Sequence, residues 1–502
     1  MKPRRTFARS SALLLLLSSA LLGCDDLIST EPPTGFTPSS PDPNAFDNEH
    51  GVLELYRGVV NKFREATSGR VTPGGYIVMS GMLGDELSAG KRNTPTSGGF
   101  SATTVVDSRM MSSTDPSSLQ GGYEEVWRQL HGVRTRAMTT IEAMRKFGPN
   151  HPRDLTGHMF ALWGMAEVML ANFFCSGIPL STMRYDGSFQ YAPGSTTTEV
   201  YEHAIAMFDS ALVNTPDSVN FRNLAKVGKG WALLNLGRFA DAADVVADVP
   251  TTFTYMNYHS TVILNSVGTP NFTSGSSSTT PHAISDMGTV ADREGGTGLP
   301  YRSSGDPRTH SPLVRAAVPT SGDAEVYKPA RWMVRGGDTP IIMASGVEAR
   351  LIEAEAALQA GDPRWLTILN ALRTSGEFTT SPNPDDPAVV DTTWAPGEGA
   401  ILFTSIGGSL PGLRPLEDPG TQDARVDLLF QERAYWLFLT GRRHADMRRL
   451  IRQYGRSEAT VFPQGAYPAG PVGSYGIDVN APAPGSELLY NPRYQGCFDR
   501  QA

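Results

Sequence analysis

The chain has 502 residues, 40 % of them hydrophobic and 19 % charged, with 51 Gly and 37 Pro. It is long enough to bury a sizeable core without metal or disulfide staples, and its composition excludes a disordered tail or a collagen-like rod while allowing long irregular connections. The formal charge is −8, which argues against nonspecific affinity for nucleic acid or an anionic surface.

At the start of the chain, Lys2, Arg4 and Arg5 precede an apolar run from Ser11 to Leu22 that holds five consecutive leucines. That run is about half the roughly 20 residues needed to span a bilayer, so residues 1–23 read as a signal peptide. Leu21-Leu22-Gly23-Cys24 resembles a bacterial lipobox, which implies cleavage before Cys24 and acylation of its thiol. A soluble-secretion signal with an incidental cysteine is the alternative. Removing this segment takes away four positive charges (Lys2, Arg4, Arg5, Arg9) and changes the net charge from −8 to −12. Export also permits the two other cysteines, Cys175 and Cys497, to pair; a disulfide and two separate buried thiols both fit the sequence.

Residues 24–48 carry Pro32, Pro33, Pro38, Pro41 and Pro43 among Ser and Thr, the composition of an extended tether. The rest, 49–502, reads as one mainly α domain. Val52, Leu55, Tyr56, Val59, Val60 and Phe63 recur at helical spacing. A second helix is expected from Gly122 to Phe147, stopped by Gly148-Pro149-Asn150. The third, Leu155 to Phe174, is apolar on most sides, which places it near the centre of a helical stack. Thr197–Leu212 and Ala225–Val246 follow, the latter containing Trp231 and the turn Gly237-Arg238-Phe239. A small residue at a helix crossing, a tight Gly turn and a docking aromatic resemble tetratricopeptide helix pairs.

Two helix-poor insertions are expected, at about 249–340 and 375–425. The first opens with a stretch from Val249 to Ser285 that has no Asp, Glu, Lys or Arg, and loops of this length are often functional. Helix is expected at Val347–Leu358, again at Trp365–Arg373, and as one long helix over Asp423–Tyr454. The Gly/Pro/Tyr-rich tail, 455–502, reads as coil lying over the surface.

Catalytic and cofactor motifs are missing: there is no HExxH, Walker A, G-x-S-x-G or CxxC. Gly295-Gly296-Thr297-Gly298 lacks the strand-turn-helix setting of a dinucleotide site and reads as a loop. His444 stands beside four Arg, where a metal would meet positive charge. Adjacent carboxylates such as Asp85/Glu86, or the pair Glu353/Glu355, do not face each other on a helix. No catalytic residue, metal site or cofactor is expected.

Three segments together resemble the SusD/RagB family of nutrient-binding outer-membrane lipoproteins. The strongest is Glu432-Arg433-Ala-Tyr-Trp436-Leu-Phe-Leu-Thr440-Gly441-Arg442-Arg443-His-Ala-Asp446, like the family's E-R-x-x-E-L-x-F-E-G-x-R-x-x-D, with Trp436 and Thr440 where Glu is usual. The second is Gly346 to Ala356 with Leu369-Asn-Ala-Leu-Arg373, in which Glu348, Leu351, Glu355 and Arg373 match and Ser345 replaces the common Arg. The third is Glu487-x-x-x-Asn491-Pro492 near the end. On their own chemistry Glu432, Arg433, Arg443 and Asp446 read as scaffold ion pairs, with Arg443 and Asp446 able to pair at i,i+3.

The resemblance implies a SusD-like helical fold with tetratricopeptide-like helix pairs, and a non-catalytic receptor on the cell outer membrane. It also implies a TonB-dependent, SusC-like channel as partner, to which an oligomeric nutrient would be delivered. An oligosaccharide is captured by exposed aromatic faces flanked by polar groups. Tyr255, Asn257, Tyr258, Trp332 and Trp394, all in the insertions, are therefore the ligand-binding candidates. A peptide is the lesser alternative ligand. The rival functions are a surface glycoside hydrolase and a tetratricopeptide-like envelope assembly protein.

Overall fold

The computed structural model describes residues 46–69, 75–89, 102–112, 122–258, 289–315, 325–329, 341–374, 377–382, 389–395, 401–406, 413–468 and 473–501. The signal peptide, Cys24, the tether as far as residue 45, and Trp332 lie outside the described residues.

The first half is helical: α1 (Glu49–Ser68), α2 (Tyr76–Leu83), α3 (Ala102–Asp107), α4 (Tyr123–Phe147), α5 (Arg153–Phe173), α6 (Thr197–Val213), α7 (Val219–Asn235) and α8 (Phe239–Val246). Local chemistry sets the ends. The Asn48 side chain accepts from Gly51 N–H at the start of α1, and Thr196 with Glu199 forms a capping box on α6. Between α5 and α6 lie four two-residue strands, β1 (Ile178–Pro179), β2 (Thr182–Met183), β3 (Phe189–Gln190) and β4 (Gly194–Ser195). In these, β2 pairs with β3 and β1 with β4, both antiparallel.

Successive helices pack on one another: α4 on α1 and α5, α6 on α5 and α7, α8 on α7. Glycine permits the closest crossings. A Cβ on Gly228 would stand 2.5 Å from the Phe208 ring, and one on Gly164 2.9 Å from it, so a single phenylalanine of α6 is wedged against α5 and α7. Gly237, at φ +72°, makes the turn between α7 and α8. Trp127, Leu162, Phe208 and Trp231 belong to the large core these helices share.

In the first insertion β5 (Thr254–Asn257) pairs antiparallel with β6 (Ile341–Ser345), closing its base. Helices α9 (Gly346–Gln359) and α10 (Arg364–Thr374) follow, then three antiparallel strands β7 (Glu377–Pro382), β8 (Val389–Ala395) and β9 (Ile401–Ile406) in the second insertion. The chain ends with α11 (Gln422–Trp436), α12 (Arg443–Tyr454), α13 (Glu458–Val461) and α14 (Gly485–Tyr490). A second core gathers Leu351, Leu369, Leu429, Met447 and Phe462. All described residues fall in the unit Asn44–Ala502.

Two expectations need correction. The single helix over Asp423–Tyr454 is two, broken between Leu437 and Arg442, where Leu439 takes φ +53° and Gly441 φ +78°. The tail also does more than cover the surface: Phe462, Val479, Asn480 and Ala481 are buried. Cys175 N–H donates to Ala481 O at 2.8 Å, Ala481 N–H to Phe173 O at 2.8 Å, and a Cys175–Cys497 disulfide joins the tail to the end of α5.

The helix break lets consecutive arginines reach different acids. Arg442 pairs with Glu348 at 2.7 Å, and Arg443 with Asp85 at 2.7 Å rather than with Asp446. Asp446 accepts from Arg433 at 2.8 Å and Arg449 at 2.7 Å, Arg449 also holds Glu355, and Glu432 accepts from Arg308 and Arg373. Burial alone would push the Asp446 carboxyl up, but the adjacent Arg433 and Arg449 outweigh it and hold it below the usual range. Ser345, at the place of the common Arg, caps α9 by accepting from Glu348 N–H. Each of Glu348, Glu355, Arg373, Glu432, Arg433, Arg443 and Asp446 is therefore engaged inside the protein.

Candidate ligand-binding site

The candidates read from the first insertion separate on burial. Tyr255 is 7 % exposed and Asn257 1 %, because they share the buried face of β5: the Tyr255 hydroxyl bonds His158 Nε2 at 2.7 Å and Asn257 Nδ2 donates to Thr67 Oγ1 at 2.7 Å. Neither presents a face to a ligand, so both leave the candidate set. Tyr258, just past β5, is 59 % exposed. Trp394 lies on β8, opposite Phe378 of β7 and Ile401 of β9.

An open cleft of about 620 Å³ lies between α4, α5, α6 and the β2–β3 hairpin. Its organising residue is Glu167, fully buried in α5. One carboxylate oxygen accepts from Arg134 Nε and from Trp163 Nε1–H, both at 2.7 Å, while the other bonds His203 Nδ1 at 2.6 Å. Burial alone would raise this carboxyl; the His203 hydrogen bond and the Arg134 charge outweigh it and hold it below the usual carboxylate range.

One buried anion thus fixes an indole, an imidazole and a guanidinium at the cleft wall. Trp163 and His203 ring centroids are 5.9 Å apart, Phe160 stacks on Trp163 at 6.2 Å, and the Arg134 guanidinium lies 6.0 Å from the indole centroid. Arg134 also donates to Ser181 O at 3.0 Å, tying the helices to the hairpin. Trp163 is only half-buried, not central to the stack. Opposite it the hairpin contributes Thr182, Arg184, Ser188, Phe189 and Gln190, a hydroxyl- and amide-bearing rim around an aromatic floor.

Sequence reasoning passed over Trp163 because its helix is apolar nearly all round. The available signal was Glu167, the sole charged residue between Phe160 and Phe174: a carboxylate in such a helix must find cationic partners. A second hollow of about 420 Å³ is walled by Asp306, Arg373, Arg414, Gln431, Glu432 and Tyr435. There Glu432 is engaged by Arg373 and Arg308, Asp306 by Arg308, and Tyr435 is buried. Among the described residues no group of three His, Cys, Asp or Glu could hold a metal ion, and no helix is long and apolar enough to cross a membrane.

No family model matches the sequence, and no curated protein matches it. Solved structures do. A SusD superfamily protein from Bacteroides thetaiotaomicron superposes with a TM-score of 0.61 at 13 % identity, covering 90 % of this chain and 100 % of that one. A laminarin binding SusD-like protein gives 0.58 at 15 % identity, over 90 % and 99 % of the two chains. Surface glycan-binding protein A from Bacteroides uniformis gives 0.59 at 14 % identity, over 90 % and 99 %. Likeness this extensive at such low identity lies in the architecture, and the chain is built on the SusD-like fold.

Proposed function

We propose that the protein is a non-catalytic glycan receptor, anchored through acylated Cys24 to the cell outer membrane, that passes an oligosaccharide to a TonB-dependent, SusC-like channel. The observation that carries this reading is the cleft wall: a half-buried indole held in place from behind, facing a hydroxyl- and amide-bearing hairpin. A pyranose offers a C–H face to an aromatic ring and hydroxyls to such a rim. The glycan-binding names carried by two of the structural neighbours support the same ligand class.

The carboxylates at the cleft favour binding over hydrolysis. A glycosidase needs one carboxyl kept protonated as acid. Glu167 is held ionised by its partners, and Glu142 accepts from Tyr185 N–H and pairs with Arg184 at 3.0 Å. Tyr258 stays in the proposal as a contact from the insertion, with Trp332 and Trp394.

Titration calorimetry of the mature chain against an oligosaccharide panel, with chromatography of the mixtures, tests the reading. Base stacking on aromatics contributes roughly 1–3 kcal/mol, so Trp163→Ala is expected to weaken binding about tenfold with no product formed. Cleavage products, or no binding by any glycan, would overturn the receptor reading. Cys24→Ala is expected to release the protein from the membrane fraction, and co-purification of a SusC-like channel tests the partnership.

A further inference from the structure

The cleft inverts the charge of the molecule. In a chain of net charge −8, three guanidiniums line it, those of Arg134, Arg145 and Arg184. Two of them are answered. Arg134 is neutralised from behind by Glu167, and Arg184 pairs with Glu142 at 3.0 Å. Arg145, in the last turn of α4, is exposed and has no acidic partner among the described residues. One positive charge is left over on the lining of the cleft that also holds the indole and imidazole.

The two answered pairs differ in kind. Arg134–Glu167 is buried, 1 % and 0 % exposed, and shapes the wall. Arg184–Glu142 sits at the rim, 66 % and 34 % exposed, where an ion pair contributes little and its geometry is easily exchanged. Glu142 keeps a second partner, Tyr185 N–H at 3.0 Å, which stabilises it if Arg184 turns toward a ligand. The guanidinium fork matches a carboxylate or a sulfate ester with paired donors.

We infer that this cleft selects an anionic glycan, one that lays a pyranose against Trp163 while a carboxylate or sulfate ester elsewhere on the oligomer engages Arg145, with Arg184 lining the same cleft. The inference rests on the receptor reading and adds the charge of the ligand. A volume of about 620 Å³ falls within the roughly 300–1,000 Å³ typical of small-ligand sites. The overall negative charge of the chain repels acidic polymers elsewhere, so a local cationic cleft sharpens selection for the matching end or branch.

The test uses the full mature chain and three probes of similar length: a galacturonic acid oligomer, a sulfated oligosaccharide and an uncharged β-glucan oligomer. The expected result is tighter binding of at least one acidic probe than of the neutral one, weakening with salt. Arg145→Glu should then weaken the acidic probe at least tenfold and leave the neutral probe within twofold. Arg128→Glu, the same charge change on exposed α4 surface outside the cleft, should do neither. Comparing the uronate with the sulfated probe identifies the acidic group. Equal affinity for charged and neutral probes, or an acidic probe indifferent to both Arg145→Glu and Trp163→Phe, would overturn the inference and leave the receptor reading in place. Absence of binding by all three and by a wider panel would remove both.

Discussion

Asp85 and Arg443, 358 positions apart in the chain, meet in a buried, doubly hydrogen-bonded ion pair at 2.7 and 2.8 Å. Asp85 also accepts from Tyr301 Oη at 3.0 Å and Leu299 N–H at 3.1 Å, so one carboxylate ties α12 and the first insertion to the loop after α2. Removing only one partner of such a pair leaves an uncompensated buried charge. Arg443→Met is expected to cost about 3–5 kcal/mol. The double variant with Asp85→Asn should recover part of that loss, since the amide carbonyl still accepts from Leu299. Urea unfolding of the three proteins checks this, and an unchanged midpoint for Arg443→Met would contradict it.

The break between α11 and α12 is as demanding as the pair it serves. Gly441 combines φ +78° with a neighbour, the Tyr76 ring, that would stand 2.5 Å from an added Cβ, and the Tyr76 hydroxyl donates to Gly441 O at 3.0 Å. Gly441→Ala therefore combines left-handed backbone strain, about 1 kcal/mol or more, with a clash against a buried ring. A loss of more than about 2 kcal/mol is expected by thermal or urea unfolding. Gly455→Ala, also at positive φ but in open space, should lose less, and a reversed order would contradict the packing argument.

Helical periodicity located α1 and α4–α7 because each has a continuous apolar face, and the motif acids and bases of α9, α11 and α12 pointed to a scaffold of ion pairs. Partners were less legible. Arg443 to Asp85 is a tertiary contact, whereas local spacing offers only Asp446, which Arg433 and Arg449 claim. The helix break was hidden because Leu437, Phe438 and Leu439 continue an apolar pattern that a helix would share, while Leu439 N–H instead donates to Glu86 Oε1 at 2.6 Å. The cleft was illegible for a related reason. Trp163, Arg134 and His203 come from three helices, and only Glu167 signals that they meet.

Acid should destabilise the fold through two buried imidazoles. Burial, reinforced by Arg64, lowers His158 to about 3; burial, reinforced by Arg448, lowers His444 to about 3. Both lie below the unfolded value of about 6.5, so the unfolded state binds more protons between these limits and stability falls as pH drops from about 6.5 toward 3. At pH 5 the loss should be on the order of 2 kcal/mol for each residue. Denaturation midpoints from pH 7 to pH 5 check the slope. In His444→Gln, which can still donate to Val479 O, that slope should be shallower than in the wild type.

The Cys175–Cys497 bond closes a loop with a sequence separation of 322 and fastens a tail that is also held by backbone hydrogen bonds from Cys175, Ser176 and Ala481 and by side-chain bonds from Arg109, His444 and Asn491. Reduction, or Cys497→Ala, is expected to cost about 2–5 kcal/mol and to expose the tail first, because the staple beside Ala483, whose N–H donates to Cys497 Sγ at 3.5 Å, is then lost. Hydrogen exchange should show early loss of protection at residues 479–499 with α4 and α5 still protected. Simultaneous loss everywhere would mean that the tail unfolds only with the whole domain.

Tyr255 and Tyr258 are three residues apart and should respond in opposite ways. The Tyr255 ring is buried, and its hydroxyl completes a chain in which His158 bonds Tyr56 Oη at 2.8 Å on one side and Tyr255 Oη at 2.7 Å on the other. A neutral imidazole donates through one nitrogen and accepts through the other, so both hydroxyls are needed to satisfy it. Tyr255→Phe leaves the ring in place and strands one imidazole nitrogen, which should cost about 1–3 kcal/mol of stability and leave glycan affinity unchanged once the protein is folded. Tyr258, 59 % exposed beside the first insertion, contributes almost nothing to the core. Tyr258→Ala should shift stability by less than about 0.5 kcal/mol and weaken glycan binding, though by less than Trp163→Ala, whose indole is pinned by Glu167 and so loses less freedom on binding. Thermal unfolding and calorimetry on the same preparations separate the two effects. A Tyr258→Ala protein with wild-type affinity would remove Tyr258 from the binding surface and leave the cleft, with Trp332 and Trp394, as the proposed contacts.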